Sequence, residues 1–307
     1  MQQRHAPVLL EEVIRYLHPL PNQNFVDATY GGGGHATALL QATKPAGQIF
    51  TFDVDPGVAV HAKSLGNRVH HFTENFSHIN KVLSDAAPTI TIHGILFDLG
   101  YSSLQLADET LGLSFQTKQP LDMRLSRTGT MTAAVIVNTW QEAEIADALY
   151  QFGEERASRR IAAAIVRARK IKTITTTDEL AAIVAKAAGK RSRRIHPATL
   201  TFQALRIAVN NELENLREGI VGAKEMLTLG GRIAVISFHS LEDRIVKQMF
   251  RDSEKYCHCA PESLQCRCDK TKVWKIITKK PVTPTSSELL QNPRSRSAKL
   301  RVLEKCI

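Results

Sequence analysis

An α/β fold, an open sheet interrupted by a helical insertion, is what this chain predicts, and three observations predict it. Short apolar runs end in acidic residues at Asp27, Asp53 and Asp98, and open α/β sheets bind ligands at the carboxyl ends of their strands. The first run, Asn24 to Asp27, leads into Gly31-Gly32-Gly33-Gly34, after which Ala36 to Leu40 restarts with helical spacing. From about Leu106 to Asn210 the alternation of strand and helix stops and only helical periodicity remains.

The elements follow in order. Val8 to Leu17 gathers its apolar residues on one helical face, and Pro19 and Pro21 stop it. The glycine stretch that follows the first strand is a tight turn. Its glycines allow positive φ and let a ligand approach the main chain with no Cβ in the way. Gln48 to Asp53 is the second strand, and Asp53, some twenty residues past the glycines, suits both hydroxyls of a ribose. Asp55 has the lesser claim because it lies beyond the strand end. Arg68 to Phe72 is a third strand. Phe76 then falls beside the crevice, placed either to pack on an adenine or to serve as a core phenylalanine. Ile90 to Leu99 is the fourth strand, and Gly100-Tyr101-Ser102-Ser103 follows its acid.

In the insertion, Gln141 to Tyr150, Glu154 to Lys170 and Asp178 to Ala188 have helical periodicity, the last with a capping-box start at Thr176-x-x-Glu179. Phe202 to Leu229 reads as one long helix stopped by Gly230-Gly231. Arg232 to Phe238, Val273 to Thr278 and Lys299 to Glu304 complete seven strands. His239 and Glu242 follow the fifth strand near the rim, where they either shape an acceptor pocket or open a helix with favourable charge at its N-terminus. The domain boundaries expected from this pattern are 1–105 with 211–307 for the sheet domain and 106–210 for the helical insertion.

A chain of 307 residues with 43% hydrophobic residues buries a substantial core in about two domains. A net charge of +10 points to a polyanionic partner. The charge clusters in the insertion, at Arg156, Arg159, Arg160, Arg167, Arg169, Lys170, Lys172 and Lys186, and in the loop Gly189 to Pro197. A charged helix face is usually only solvated, but Lys190, Arg191, Arg193 and Arg194 in a loop beside His196 invite phosphate. No secretory apolar core opens the chain and no run of about 18 apolar residues occurs, so a cytoplasmic protein with no membrane partner is expected. Five cysteines, an odd number, fit a reducing compartment. Cys257 and Cys259, with Cys266 and Cys268, form two C-x-C pairs. Structural zinc sites use C-x2-C, so thiols in a surface loop and no metal are expected there.

The order Asp27, Gly31, Gly33, D-x-x-x-G-x-G, differs from the dinucleotide fingerprint G-x-G-x-x-G. It is similar to the first motif of methyltransferases that use S-adenosylmethionine. With His5-Ala6-Pro7-Val8-Leu9, Asp98 to Ser103 with Gln105-Leu106, Pro120 to Arg124, His196 to Thr199, Phe202 to Arg206, Ile236 to Arg244 and Asn292 to Arg301, nearly the whole chain resembles the bacterial 16S ribosomal RNA cytosine-N4 methyltransferase family.

The resemblance implies a Rossmann-like seven-stranded S-adenosylmethionine-dependent methyltransferase sheet with an inserted helical domain that recognises substrate. It implies S-adenosylmethionine contacts from Gly33, Gly34, His35, Asp53, Phe76, Asp98 and Gln105. The implied acceptor is the exocyclic amine of a cytosine in the decoding region of 16S rRNA within the small ribosomal subunit. Basic residues of the motifs and of the loop, Arg193, Arg194, His196, Arg206, Arg294 and Arg296, are assigned to RNA, and a homodimer is left open. Leu111, Leu113 and Leu200 depart from the family pattern, the last replacing a potential phosphate or base contact by an apolar residue.

Cytosine N4 is a poor nucleophile because its lone pair is delocalised into the ring. An acceptor for its hydrogens, best supplied by Asp98, is the catalytic requirement, and Tyr101 offers a stacking face for a flipped base. His35, inside the glycine loop, reads as a cofactor hydrogen bond rather than an acid or base. A nicotinamide-dependent oxidoreductase is disfavoured by the missing fingerprint. A non-catalytic ribosome-assembly factor on the same fold remains the alternative.

Overall fold

The computed structural model describes residues 7–189, 196–255 and 272–307. The chain divides into two compact units, Met1–Gly100 with Leu213–Ile307, and Tyr101–Glu212.

Seven strands build the first unit: β1 (Asn24–Asp27), β2 (Ile49–Phe52), β3 (Val69–Phe72), β4 (Ile92–Asp98), β5 (Leu227–Ser237), β6 (Trp274–Ile276) and β7 (Lys299–Lys305). They form one sheet in the order β3-β2-β1-β4-β5-β7-β6. The first five are parallel, and β7 runs antiparallel to both β5 and β6. Strands covered on both faces are apolar along their whole length rather than alternating. In β2 all four residues, Ile49-Phe50-Thr51-Phe52, are buried. Successive side chains still go to opposite faces. Val26, Phe50, Ile95, Phe97 and Val235 enter one core cluster, while Phe25, Ile49, Leu96, Ala234 and Ile236 enter the other.

The helices, in chain order, are α1 (Leu10–Leu17), α2 (Gly34–Ala42), α3 (Ala59–Ser64), α4 (Ile79–Ala86), α5 (Ser103–Ala107), α6 (Ala133–Thr139), α7 (Glu142–Gly153), α8 (Ser158–Ile171), α9 (Thr177–Ala188), α10 (Ala198–Asn210), α11 (Glu212–Met226), α12 (Ser240–Glu254) and α13 (Ser286–Gln291). The long helix expected over Phe202 to Leu229 is instead two. Asn211 takes the left-handed conformation (φ 51°, ψ 37°) and its N–H returns to the Ile207 carbonyl, a cap that asparagine tolerates through its short polar side chain. Gly230 and Gly231 do not stop a helix either. They lie inside β5, where the pairing with β4 jumps from Ile92 opposite Leu227 to Gly94 opposite Arg232, and glycines inside a strand mark such irregularities.

The second unit is helical around its own core, to which Leu121, Ile136, Leu149, Ile161, Leu180 and Phe202 contribute. Among its described residues the only β pairing is an isolated bridge between Pro120 and Thr176. Helix α6 was not legible from periodicity. Its start is fixed by Thr132, whose Oγ1 accepts the Val135 N–H at 3.1 Å. The capping box expected at Thr176 does not form. The Thr176 side chain makes no cap bond, and Glu179 takes the Thr175 N–H instead, at 3.0 Å. Leu111 is buried and Leu113 packs against the helical core. Helices α7 and α10 approach so closely that a Cβ on Gly153 would stand 2.6 Å from the Leu200 carbonyl oxygen. Among the described residues no helix is long and apolar enough to cross a membrane.

Candidate cofactor site

The strand order puts the carboxyl ends of β2, β1 and β4 side by side, and each ends at or next to an acid. The connection after β1 turns over Tyr30, a buried side chain whose hydroxyl lies 2.7 Å from His61 Nδ1. Burial pushes the Tyr30 phenol up to about 12. Gly31 (φ 50°) and Gly33 (φ 74°) are left-handed. A Cβ on Gly33 would stand 2.6 Å from the Tyr30 hydroxyl oxygen, whereas one on Gly32 would meet nothing within 4 Å among the described residues. The loop therefore rests on Tyr30 from below and leaves bare main chain at Gly32.

Asp53 fastens this loop. Its Oδ2 accepts the Gly31 N–H at 2.8 Å and its Oδ1 accepts the Asp55 N–H at 2.9 Å. Burial pushes its carboxyl above the usual range even against those two bonds.

His35, in the first turn of α2, is 4% exposed, with Nε2 3.5 Å from Asp98 Oδ2. Burial pulls its pKa down, but the carboxylates of Asp98 and Asp27 outweigh that and hold the imidazole above its ordinary value. Asp27, at the end of β1, is wholly buried. Its Oδ1 accepts the Thr29 N–H at 3.3 Å, and burial raises its pKa to about 7, against the lowering effect of His35. Asp98 is positioned through its backbone, whose N–H donates to Thr29 Oγ1 at 2.6 Å. Among the described residues Asp27 Oδ2, His35 Nδ1 and Asp98 Oδ1 are buried without a hydrogen-bond partner, while His35 Nε2 has only the long approach to Asp98. Buried polar atoms are nearly always satisfied, so this concentration beside a glycine cradle marks a candidate site for a polar ligand. Asp27, Thr29 and Tyr30 are the parts that sequence reading undervalued. The only signal was their place between the strand and the glycines.

The raised Asp27 pKa has a consequence for stability. The folded state holds the proton more tightly than the unfolded chain, where an aspartate has its ordinary value of 3.8. This group's contribution is therefore fully present below about pH 4 and is lost as the pH rises through about 7. Asp27→Asn is expected to abolish that slope and, at pH 8, to raise stability by a few kcal/mol, an order-of-magnitude figure from roughly three pKa units. Urea unfolding of both proteins between pH 4.5 and 8 measures it, and parallel curves for the two would contradict the assignment.

Phe76 is half-buried and sits edge-on to Phe97, centroids 5.5 Å apart. A Cβ on Gly219 would touch its ring at 2.7 Å, so one face is committed to the core. Gly34 opens α2 and packs on Pro7, whose Cγ would lie 2.9 Å from an added Cβ. Gln105 belongs to the second unit. There it closes a capping box with Ser102, its Oε1 accepting the Ser102 N–H at 2.8 Å. His239 and Glu242 likewise close the capping box of α12, the Glu242 Oε2 accepting the His239 N–H at 3.2 Å and also the Phe238 N–H at 2.8 Å.

Of the residues assigned to RNA, His196 is exposed and stacks on Phe115 at 4.8 Å. Arg206 is turned into its own unit. Its guanidinium bonds both carboxylate oxygens of Glu212, at 2.8 and 3.0 Å, and lies 4.9 Å from the Tyr101 ring centroid, so it serves there as a neutralised prop for an exposed aromatic. Arg294 and Arg296 are exposed in the short 3-10 turn Pro293–Ser297. Arg193, Arg194 and the cysteines Cys257, Cys259, Cys266 and Cys268 lie outside the described residues.

A glycine cradle over unsatisfied buried groups, on a seven-stranded sheet whose β7 is antiparallel, defines the Rossmann-like class of S-adenosylmethionine-dependent methyltransferases. The chain belongs to the MraW methylase family, whose model matches residues 2–306. It is 47% identical to ribosomal RNA small subunit methyltransferase H of Thermomicrobium roseum over 305 residues, 98% of this chain and 93% of the relative. The protein of that name from Heliobacterium mobile is 44% identical over 311 residues, 99% of this chain and all of the relative. An rRNA methylase structure from Streptococcus thermophilus spans 99% of both chains at 11% identity with a TM-score of 0.44, a likeness too loose to add to the assignment. The protein is thus a methyltransferase with S-adenosylmethionine as its cofactor. The open main chain at Gly32 and the buried unsatisfied atoms of His35 and Asp98 would fit such a group, with Asp53 beside them on the same rim.

Proposed function

We propose that the protein methylates the N4 amine of a cytidine in the decoding region of 16S rRNA, with the small ribosomal subunit as its macromolecular partner. The observation that carries this reading is Asp98 Oδ1, a buried carboxylate oxygen with no partner at the end of β4. The names of the relatives, ribosomal RNA small subunit methyltransferases, support it.

S-adenosylmethionine supplies an electrophilic methyl whose leaving group, a neutral thioether, needs no acid. The protein's task is to make a poor nucleophile better. Asp98 accepts a hydrogen bond from the amine, which lets the nitrogen pyramidalise, and stabilises the positive charge that grows there. A strong base is unnecessary because the proton is lost after transfer. The imidazole of His35, 3.5 Å from Asp98 Oδ2, fixes the direction of that carboxyl group.

The test is incubation with labelled S-adenosylmethionine and small subunits lacking the modification, followed by nuclease digestion of the 16S rRNA. Label confined to one decoding-region fragment is the expected result. Cofactor binding and subunit binding without label would replace this reading by that of a non-catalytic assembly factor.

A further inference from the structure

In the helical unit Glu154 takes the left-handed conformation (φ 51°, ψ 30°) at the end of α7, and the chain folds back at once into α8. The reversal leaves a cleft of about 800 Å³ whose lining includes Asp147, Tyr150, Gln151, Arg156, Arg159 and Arg160. Arg160 is anchored, donating from Nη2 to the Ala188 carbonyl at 2.6 Å. Arg156 and Arg159 are exposed, and among the described residues their side chains have no hydrogen bond or ion pair. Tyr150 is 63% exposed. Among the described residues of the lining Asp147 is the one carboxylate, against three arginines. No acid stands in the first turn of α8, and Arg159 and Arg160 there oppose the helix dipole. That local cost is offset when a polyanion docks.

We propose that this cleft binds a single-stranded segment of RNA, with phosphates on Arg156 and Arg159 and a base stacked on Tyr150. Guanidinium groups make charge-assisted bonds to phosphate. An exposed aromatic beside a positive groove is how single strands are held without sequence preference. Only the identity of the RNA, 16S rRNA, rests on the functional reading above. The cleft is a substrate-holding surface and carries no chemistry.

The experiment uses the full chain and compares wild type with Arg156→Ala/Arg159→Ala, Tyr150→Ala and Tyr150→Phe. Affinity for protein-free 16S rRNA is measured at several salt concentrations, with S-adenosylmethionine affinity as the check on folding. The double variant is expected to bind RNA at least tenfold more weakly, with a salt slope shallower by about 1.4 for two lost phosphate contacts. Tyr150→Ala is expected to lose about tenfold with the slope unchanged, and Tyr150→Phe to bind as wild type. Unchanged RNA affinity and slope in the double variant would overturn the proposal. So would a loss seen with assembled subunits and not with free rRNA, which would make the cleft a protein contact. Wild type that binds RNA through the cleft but transfers no methyl would overturn the functional reading and leave this one standing.

Discussion

Asp98→Ala is expected to lower methyl transfer by roughly a hundredfold to a thousandfold, the cost of deleting one preorganised electrostatic partner in an enzyme site. The fold should survive. The Asp98 side chain is 24% exposed, its backbone is held by the sheet and by the N–H bond to Thr29 Oγ1, and its neighbours Phe97 and Leu99 carry the packing. Asp98→Asn separates charge from shape. It keeps an acceptor oxygen but loses the counter-charge to His35, so transfer falls nearly as far. With that carboxylate gone, the burial that already acts most strongly on His35 prevails, and the imidazole should titrate below its ordinary value rather than above it. NMR titration of His35 in the two proteins reads this directly. An Asn variant with wild-type turnover and an unmoved His35 would remove Asp98 from the site.

The second large effect is at the glycine cradle. Gly33→Ala places a Cβ where φ is +74° and the Tyr30 hydroxyl is 2.6 Å away. The left-handed conformation alone costs about 1–2 kcal/mol for a residue with a side chain, or about 2–8 °C of melting temperature in a unit of this size. The clash with Tyr30 adds to that by tilting the loop that Asp53 holds at Gly31. Both stability and S-adenosylmethionine affinity should therefore fall, the latter at least tenfold. Gly32→Ala is the companion. Among the described residues its Cβ meets nothing within 4 Å, so the melting temperature should stay put while affinity falls, because the new methyl projects to the side where the ligand is placed. Equal affinities for Gly32→Ala and wild type would move the cofactor away from the bare face of this loop.

The parts legible in the sequence were those set by short-range rules. The strand ends at Asp27, Asp53 and Asp98 and the glycine turn appear where their patterns put them, because apolar runs, turn glycines and the ligand rim of an open sheet are all local signals. The break between α10 and α11 was not legible. Leu205, Val209, Leu213 and Leu216 keep helical spacing across it, and a single asparagine in the left-handed region leaves no trace in periodicity. The start of β5 was hidden for a related reason, since Gly230-Gly231 reads as a helix stop whether it ends a helix or bulges a strand. The role of Asp53 as a clamp on Gly31 needed tertiary geometry, as did the pairing of Arg206 with Glu212. A list of arginines cannot distinguish one turned inward from one left free at a cleft, and that difference separates Arg206 from Arg156 and Arg159.

The central claim is a chemical one, that the methyl goes to nitrogen 4 of a cytosine. The most direct measurement is mass-spectrometric nucleoside analysis of 16S rRNA after reaction of unmodified small subunits with S-adenosylmethionine and either wild type or Asp98→Ala. The account predicts N4-methylcytidine with wild type and its near-absence with the variant. Methylation on carbon 5, on a ribose hydroxyl or on another base, or equal N4-methylcytidine from both proteins, would contradict it.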